Sequence, residues 1–230
     1  MAIAKYRKGR FIKVRKVHQK SFWIGVCLLL AFSLFTVLVC AVDVATIGPL
    51  ETHVGFATVN RFVHDATGVD LFLYTLTDWL GLVPIGTALG FAILGACQLF
   101  KRKSLLKVDR SLFVLGGFYV VVIALFLLFE AVAVNYRPVL IDGSLEASYP
   151  SSTTLLVLCV MPTAMMQLTV RIKNRVLRRV TILTIAVFIA FTVSARLLSG
   201  VHWFTDIVGG MLLSAALVTM YVSLAQHRSH

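Results

Sequence analysis

Residues 111–129 read SLFVLGGFYVVVIALFLLF, nineteen consecutive positions without a charged side chain between Arg110 and Glu130. A helix that crosses the hydrocarbon core of a bilayer needs roughly 20 apolar residues, because the core is about 30 Å thick and each residue rises about 1.5 Å. This stretch therefore predicts a transmembrane helix.

Five further runs without a charged residue accompany it, at 21–42, 79–100, 147–170, 180–195 and 207–226. Four of them hold at least 20 residues, whereas the run 180–195 holds 16. That helix, the fifth along the chain, reaches a spanning length only if Arg196 lies in its last turn. We therefore expect an all-α integral membrane protein with six transmembrane helices.

The composition agrees with a membrane protein and excludes several other classes. Hydrophobic residues make up 59% of the chain and charged residues 14%, and the mean hydropathy is +0.90. Soluble domains contain roughly 45–50% apolar residues, disordered chains fewer, and disulfide scaffolds need dense cysteine. The four cysteines fall inside apolar runs without CxxC spacing, which predicts small core residues: Cys27, Cys40, Cys97 and Cys159.

The positions of lysine and arginine predict which side of the membrane each loop faces, because cytoplasmic flanks carry the excess. Nineteen of the 22 basic residues fall in four segments: 1–20, 101–110, 171–179 and 227–230. In a six-span topology these segments share one side, so we expect both termini to be cytoplasmic. The net charge of +12 then indicates anionic lipid headgroups at the cytoplasmic face as partners, and no nucleic acid. The sequence predicts no oligomeric state.

We expect a basic cytoplasmic N-terminal segment at 1–20, a six-helix domain at 21–226 and a cytoplasmic tail at 227–230. The first apolar run is longer than the core of a signal peptide and is interpreted as an uncleaved anchor. Between spans one and two, residues 43–78 carry apolar side chains at roughly helical spacing, which predicts short amphipathic helices in the outer interface. The tryptophans fall at predicted span ends, as interfacial indoles do: Trp23, Trp79 and Trp203.

The polar residues that suggest chemistry lie in three segments on the outer side: 135–138 (NYRP), 149–154 (YPSSTT) and 196–206 (RLLSGVHWFTD). In the third segment His202 and Asp206 are four residues apart, which places them on one face of a helix if span six begins near His202. The carboxylate can then accept the Nδ1 proton and leave Nε2 free to attack an electrophile. Arg196 supplies a planar fork for phosphate oxygens.

The second segment opens span four with good helix-start chemistry, since proline pre-sets φ and serine hydroxyls satisfy free N–H groups. Ser151 and Ser152 either cap that helix or, with its N–H groups, hold a phosphate that Arg137 approaches from the preceding loop. Taken alone, each residue also fits an ordinary role, such as a helix cap, a snorkelling arginine or an interfacial histidine. Their occurrence together at one face favours an anion site.

The spacing Arg-x5-His-x3-Asp, at Arg196, His202 and Asp206, follows an Arg-Pro pair at 137–138 and a Pro-Ser pair at 150–151. This pattern resembles the three-part signature of the type 2 phosphatidic acid phosphatase family, which is related to the vanadium haloperoxidases. The resemblance covers roughly residues 25–225, since the order of the motifs and of the spans agrees as well.

The resemblance implies a metal-independent lipid phosphatase without cofactors, in which His202 is phosphorylated and then hydrolysed. It implies that Asp206 orients His202. It also implies that the phosphate is bound by Arg137, Ser151 and Arg196, with Ser152 beside them.

Four positions depart from the family's pattern. Glu130 stands where the first motif has lysine, Ser152 and Thr153 replace the glycine and histidine of the second motif, and Ala195 replaces the serine before the arginine of the third. The missing histidine would protonate the leaving oxygen, which contributes roughly 10²–10⁴-fold. A phosphate leaving group, with a second pKa of about 6, needs that proton less than an alkoxide does. We therefore expect a lipid phosphate as the substrate, preferably an isoprenoid diphosphate, at the extracytoplasmic face.

Other proton donors and other functions stay open. Glu130, if buried at the end of span three, is a candidate substitute acid, as are His64 and His53. If Glu130 instead pairs with Arg137 or Arg196, we expect a catalytically impaired homologue that binds phosphorylated lipid or a partner protein. A transporter is a third alternative, which the clustering of charge at one face disfavours.

Two further expectations concern metals and the host membrane. The histidines and acids show neither HExxH nor EF-hand spacing, so no metal site is expected. The small six-span layout suggests a bacterial plasma membrane.

Overall fold

The computed structural model describes residues 2–226, except the side chains of residues 2–18, Leu106 and Gln226. The predicted tail at 227–230, and most side chains of the basic segment at 1–20, therefore lie outside the described residues. The described chain folds into α-helices and one small antiparallel hairpin: α1 Ala2–Ala41, β1 Ala45–Thr46, β2 His53–Val54, α2 Ala57–Thr67, α3 Leu71–Leu80, α4 Leu82–Arg102, α5 Arg110–Ala131, α6 Ser152–Arg171, α7 Arg175–Leu198 and α8 Phe204–Gln226.

Within the described residues, six segments are long and apolar enough to cross a membrane, which confirms the predicted all-α, six-span integral membrane protein. They are Gln19–Ala41, Leu71–Arg102, Arg110–Ala131, Ser152–Arg171, Arg175–Leu198 and Phe204–Ala225. The fifth span reaches its length in the predicted way, because Arg196 lies in the last turn of α7.

The second span begins earlier than the run of apolar residues predicted. Two short helices do follow span one, but the second of them, α3, runs almost directly into α4. The junction is Gly81, which keeps right-handed helical dihedrals (φ −60°, ψ −20°) and so forms no loop. Since helical geometry continues through Gly81, α3 and α4 together form a candidate span of 32 residues.

The alternating spans place the connecting segments at two ends of the bundle. One end carries residues 103–109 and 172–174 and is called here the basic end. The other end carries residues 42–70, 132–151 and 199–203 and is called the site end. All three predicted motif segments therefore meet at the site end.

The best buried helices are α6 and α8, whose apolar spans are 56% and 50% buried. They pack against each other, and α1 packs along α8. At their crossing near the site end, a Cβ on Gly209 would lie only 2.5 Å from the Tyr149 ring, so glycine lets that ring lie against α8. The Ser151 N–H, at the start of α6, donates to the Asp206 carbonyl at 3.0 Å. This packing fixes the starts of α6 and α8 side by side.

Two side-chain expectations are corrected by this packing. Cys159 is buried, but the other three cysteines are exposed on the surface of the helices: Cys27, Cys40 and Cys97. An apolar run does not distinguish a lipid-facing surface from a core, because lipid tails are as apolar as leucine. Trp203 is also not an exposed interfacial indole, since it is buried and its Nε1–H donates to the Tyr136 carbonyl at 2.8 Å.

Candidate active site

A tight turn between α7 and α8 positions the most polar part of the site. Gly200 has φ +66°, and a Cβ there would lie 1.8 Å from the carbonyl oxygen of Gly68. The neighbouring Ser199 carbonyl accepts a hydrogen bond from the Asp70 N–H at 3.0 Å. Glycine is therefore required at position 200 both for the left-handed backbone and for the close approach of the linker between α2 and α3.

His202 lies two residues before the first residue of α8, so the prediction that His202 and Asp206 share a helix face is wrong in detail. The two side chains still meet, with His202 Nδ1 3.5 Å from Asp206 Oδ2. The same Oδ2 accepts the Trp203 N–H at 2.9 Å, and Oδ1 lies 3.4 Å from Asn135 Nδ2. Asp206 thus satisfies a free N–H at the helix start while it faces the imidazole.

The other imidazole nitrogen faces a guanidinium group. Arg137 Nη1 lies 3.1 Å from His202 Nε2. Because a guanidinium can only donate, Nε2 must accept, and the ring proton then sits on Nδ1, toward Asp206. Burial, followed by the positive charges of Arg196 and Arg137, holds the pKa of His202 well below its usual range. The imidazole is therefore neutral, with its Nε2 lone pair directed into the cluster of cations.

Arg137 is held by the loop between α5 and α6. Its N–H donates to the Glu146 carbonyl at 3.0 Å, in a short antiparallel pairing of Tyr136 with Ala147. Its Nε lies 2.8 Å from Glu146 Oε2, and the Glu146 side chain is 42% exposed. One edge of this guanidinium is thus fixed by a carboxylate at the surface, while the other edge points into the site.

Arg196 is more deeply buried, with 1% of its surface exposed. Its Nη1 donates to Thr77 Oγ1 at 3.2 Å, and its Nη2 lies 3.8 Å from the exposed carboxylate of Asp78. Its Nε has no hydrogen-bond partner. A buried cation with so incomplete a set of partners is costly unless a further anion completes it.

Tyr74 on α3 contacts both arginines. The Cζ atoms of Arg196 and Arg137 lie 4.8 Å and 5.6 Å from the centroid of its ring. A cation over an aromatic face contributes about 0.5 to 2 kcal/mol, with more at desolvated sites. Sequence analysis missed Tyr74, Thr77 and Asp78, because no motif contains them and the segment 43–78 predicted only an interfacial role.

The two serines of the second segment are placed differently from one another. Ser151 is fully buried, its Oγ accepts from Thr154 Oγ1 at 3.0 Å, and it makes no side-chain cap. Ser152 is half-buried and lines a shallow cleft that also includes Glu130. Thr153, at the position of the family's histidine, is buried, with its Cγ2 3.7 Å from the place of a Cβ on Gly81.

Among the described residues, the candidate substitute acids make no hydrogen bond or ion pair with the arginines or His202. Glu130 is exposed rather than buried, and the carboxylates that pair with Arg137 and Arg196 are those of Glu146 and Asp78 instead. His53 is exposed in β2. The ring of His64 lies 5.5 Å from that of Trp203.

Comparison with known proteins places these residues in a wider context. A family model described as PAP2 superfamily matches residues 85–229, a range that contains Arg137, Ser151, Arg196 and His202 but not Tyr74. A crystal structure of a transmembrane PAP2-type phosphatidylglycerolphosphate phosphatase from Bacillus subtilis has a similar fold. The TM-score is 0.54, with 19% sequence identity, over 87% of this chain and 94% of that chain. No curated protein matches the chain.

Proposed function

The chain belongs to the PAP2 superfamily, and from this premise we propose that it is an integral membrane phosphatase that hydrolyses a phosphorylated lipid. The observation that carries the proposal is the position of buried His202 beside a cluster of two guanidinium groups. One of these, on Arg137, lies 3.1 Å from Nε2, and the other, on Arg196, is buried with an unpaired Nε. A dianionic phosphoryl group supplies the charge that this cluster lacks.

In the proposed reaction the guanidinium of Arg137 moves from Nε2 onto the phosphate oxygens. Nε2 then attacks phosphorus, so that an N–P bond forms while the bond from phosphorus to the leaving oxygen breaks. The imidazole ring of the phosphohistidine carries a positive charge, and the Asp206 carboxylate stabilises that charge through the proton on Nδ1. Water then attacks phosphorus and the N–P bond breaks. Both protons of the water stay on the departing inorganic phosphate, which leaves as H₂PO₄⁻, and His202 returns to its neutral form with the proton on Nδ1. The arginines hold the equatorial oxygens in both steps.

The residue at position 153 indicates which leaving group the site can expel. A threonine hydroxyl does not replace the imidazole that would protonate an alkoxide, whose conjugate acid has a pKa near that of water, about 15.7. A phosphate with a second pKa of about 6 can depart as an anion. We therefore propose a lipid diphosphate, and specifically an isoprenoid diphosphate, as the preferred substrate.

A lipid substrate also needs a place for its tail. An apolar groove with a cavity volume of about 600 Å³ lies between α4, α5 and α6. Its walls include Pro84 and Leu99 on α4, Ile123 on α5, and Leu156, one helical turn beyond Ser152. A hydrocarbon chain in this groove would run beside the phosphate site, which supports a lipid rather than a soluble phosphate ester.

Phosphate release by the purified protein in detergent tests the activity. We expect faster release from a polyprenyl diphosphate than from the matching monophosphate, and loss of release in His202→Asn. An acid-labile phosphate on the histidine should be trapped in the wild type at short times. Release that survives His202→Asn would refute the nucleophile, while a preference for the monophosphate would refute only the leaving-group argument.

Sidedness is part of the same proposal. The excess of basic residues supports a cytoplasmic basic end and an extracytoplasmic site. The small six-span layout supports a bacterial plasma membrane. With the four native cysteines replaced by alanine, Ser144→Cys at the site end should react with a membrane-impermeant maleimide on intact cells. The matched variant Lys107→Cys at the basic end should react only after lysis. The reverse pattern would invert the topology.

A second function is favoured by one observation, the threonine at the position of the second-motif histidine. Without a proton donor, the same cluster would bind a phosphorylated lipid and not cleave it. Saturable binding of polyprenyl diphosphate, weakened by Arg196→Ala and without phosphate release or a trapped intermediate, would establish this binding function in place of the phosphatase.

A further inference from the structure

Tyr74 is the one aromatic residue, among those the structure describes, whose ring has two guanidinium groups within 6 Å, those of Arg137 and Arg196. Tyr74 is half-buried on α3, which packs against α7, the helix that carries Arg196. The two arginines come from different parts of the chain, α7 and the loop before α6. Tyr74 is therefore the side chain through which α3 reaches both cations.

The carboxylates that pair with the arginines explain only part of how the cations are held in the site. The carboxylates of Glu146 and Asp78 are 42% and 62% exposed, so water and salt screen them. Two like charges in one buried cluster also repel each other. An aromatic face attracts a cation without competing for its N–H donors, which leaves those donors free for an anion.

We propose that Tyr74 is a positioning residue for the phosphate-binding pair: its ring holds Arg137 and Arg196 close together before phosphate binds. The inference rests on the proposed function, since it takes the two arginines as the phosphate-binding groups. It extends that function to a residue outside the range that the family model matches, 85–229. The ring, not the hydroxyl, is the acting group.

The proposal makes a physical prediction about affinity. If the guanidinium groups are already placed before the phosphate arrives, less conformational entropy is lost on binding. Removing the ring releases both arginines, so binding weakens although every group that touches the phosphate is still present. Removing only the hydroxyl leaves the ring and its attraction for cations intact.

Orthovanadate, which resembles phosphate, is the probe, and its affinity for the full chain in detergent is measured by calorimetry. The variants are Tyr74→Phe, Tyr74→Leu and a series with one, two and three fluorines on a phenylalanine at position 74. Fluorine withdraws electron density from the ring face with little change in shape. A role in packing alone would not respond to it. Phe72→Leu is the matched control, because Phe72 lies on the same helix and is 78% exposed.

We expect Tyr74→Phe to stay within about twofold of the wild type, and affinity to fall with each fluorine toward the loss in Tyr74→Leu, about tenfold. Phe72→Leu should bind as the wild type does. A flat fluorine series, or a loss in Tyr74→Phe equal to that in Tyr74→Leu, would overturn the proposal. If Tyr74→Leu fails to fold, the fluorinated series alone decides.

The same experiment separates this inference from the proposed function. A wild-type protein that does not bind orthovanadate would overturn the phosphate site, and with it both proposals. A wild type that binds orthovanadate while the fluorine series stays flat would overturn the role of Tyr74 only.

Discussion

The two ends of the bundle both carry clusters of polar and charged side chains, but the clusters differ in completeness. At the basic end, Gln98 Nε2 donates to Asp109 Oδ2 at 2.8 Å, and Gln98 Oε1 accepts the Asp109 N–H at 2.9 Å. Arg102 Nη1 lies 3.1 Å from Asp109 Oδ1. These hydrogen bonds, that of Gln98 first, lower the pKa of Asp109.

At the site end the set of hydrogen bonds is less complete. Among the described residues, Arg196 Nε is buried and has no hydrogen bond, whereas the side-chain oxygen and nitrogen atoms of Gln98 and Asp109 all have partners. Buried polar groups in native proteins are nearly always satisfied, so each exception needs a reason. This difference supports the proposal that a phosphate group completes the site end, while the hydrogen bonds at the basic end contribute to stability.

Replacing one arginine by lysine at each end should give the largest difference in kcat/KM between the two ends. We expect Arg196→Lys to lower kcat/KM by roughly 10²-fold or more, because lysine lacks the planar fork and the stacking on Tyr74. Arg102→Lys, the matched change at the basic end, should leave kcat/KM unchanged, because the Arg102–Asp109 pair is exposed. Phosphate release from purified protein measures both. Equal losses in the two variants would remove the functional distinction between the ends.

The pH dependence of kcat/KM should report the burial of His202 at the site end. Since the pKa of His202 is lowered, the imidazole stays unprotonated as the pH falls through 6.5, and kcat/KM falls only when the pH passes below the lowered pKa. At pH 5.5 an ordinary histidine would have lost about nine tenths of its reactive form. The pH profile of kcat/KM, corrected for the titration of the substrate, gives the acid limb. A limb at or above pH 6.5 would contradict the burial argument.

The same ionisation affects folding. The unfolded chain takes up this proton near pH 6.5 and the folded chain does not, so the free energy of unfolding should decrease as the pH falls below 6.5. Replacing His202 with asparagine should remove this contribution, which thermal unfolding in detergent can measure at pH 7.5 and 5.5.

A change at the basic end should alter stability alone. Tyr221 is buried and its hydroxyl accepts a hydrogen bond from Gln167 Nε2 at 2.9 Å. We expect Tyr221→Phe to lower the free energy of unfolding by about 1 kcal/mol and to leave turnover unchanged. Denaturant unfolding and the phosphate assay together test this, and reduced turnover with unchanged stability would argue for coupling between the two ends.

The smallest effect concerns Glu130. Because its side chain is exposed and its charge does not pair with either arginine, we expect Glu130→Gln to retain activity within about twofold. A general acid would instead cost roughly 10²-fold or more, with the loss greatest for a monophosphate substrate. The ratio of rates for diphosphate and monophosphate lipids, in the wild type and in Glu130→Gln, distinguishes the two cases.

The sequence predicted the six spans and the residues that meet at the site end, because both depend on local information. Charge-free runs locate the six spans, although the second and fifth spans are longer than their runs, and the motifs identify Arg137, Arg196 and His202 by their spacing. The lipid-facing cysteines were mispredicted since an apolar run does not say which face is buried. The position of His202 outside α8 depends on the turn at Gly200.

The contribution of α3 to the candidate site could not be predicted from local sequence patterns. Thr77 and Arg196 are 119 residues apart in the chain and meet only because α3 packs against α7. Nothing in the segment around Tyr74 indicates a contact with cations, since an aromatic residue at helical spacing in an apolar stretch predicts membrane contact. Only the packing of the helices brings Tyr74 to the arginines.

The contact between Gly200 and Gly68 leaves no space for a side chain larger than hydrogen at position 200. A methyl group at position 200 would have to occupy the space of the Gly68 carbonyl, 1.8 Å away, so one of the two backbones must retreat. Either movement should increase the distance between α3, which carries Tyr74, and the turn that carries His202. We therefore expect Gly200→Ala to disrupt the candidate site, although Gly200 has no side chain that could take part in the reaction.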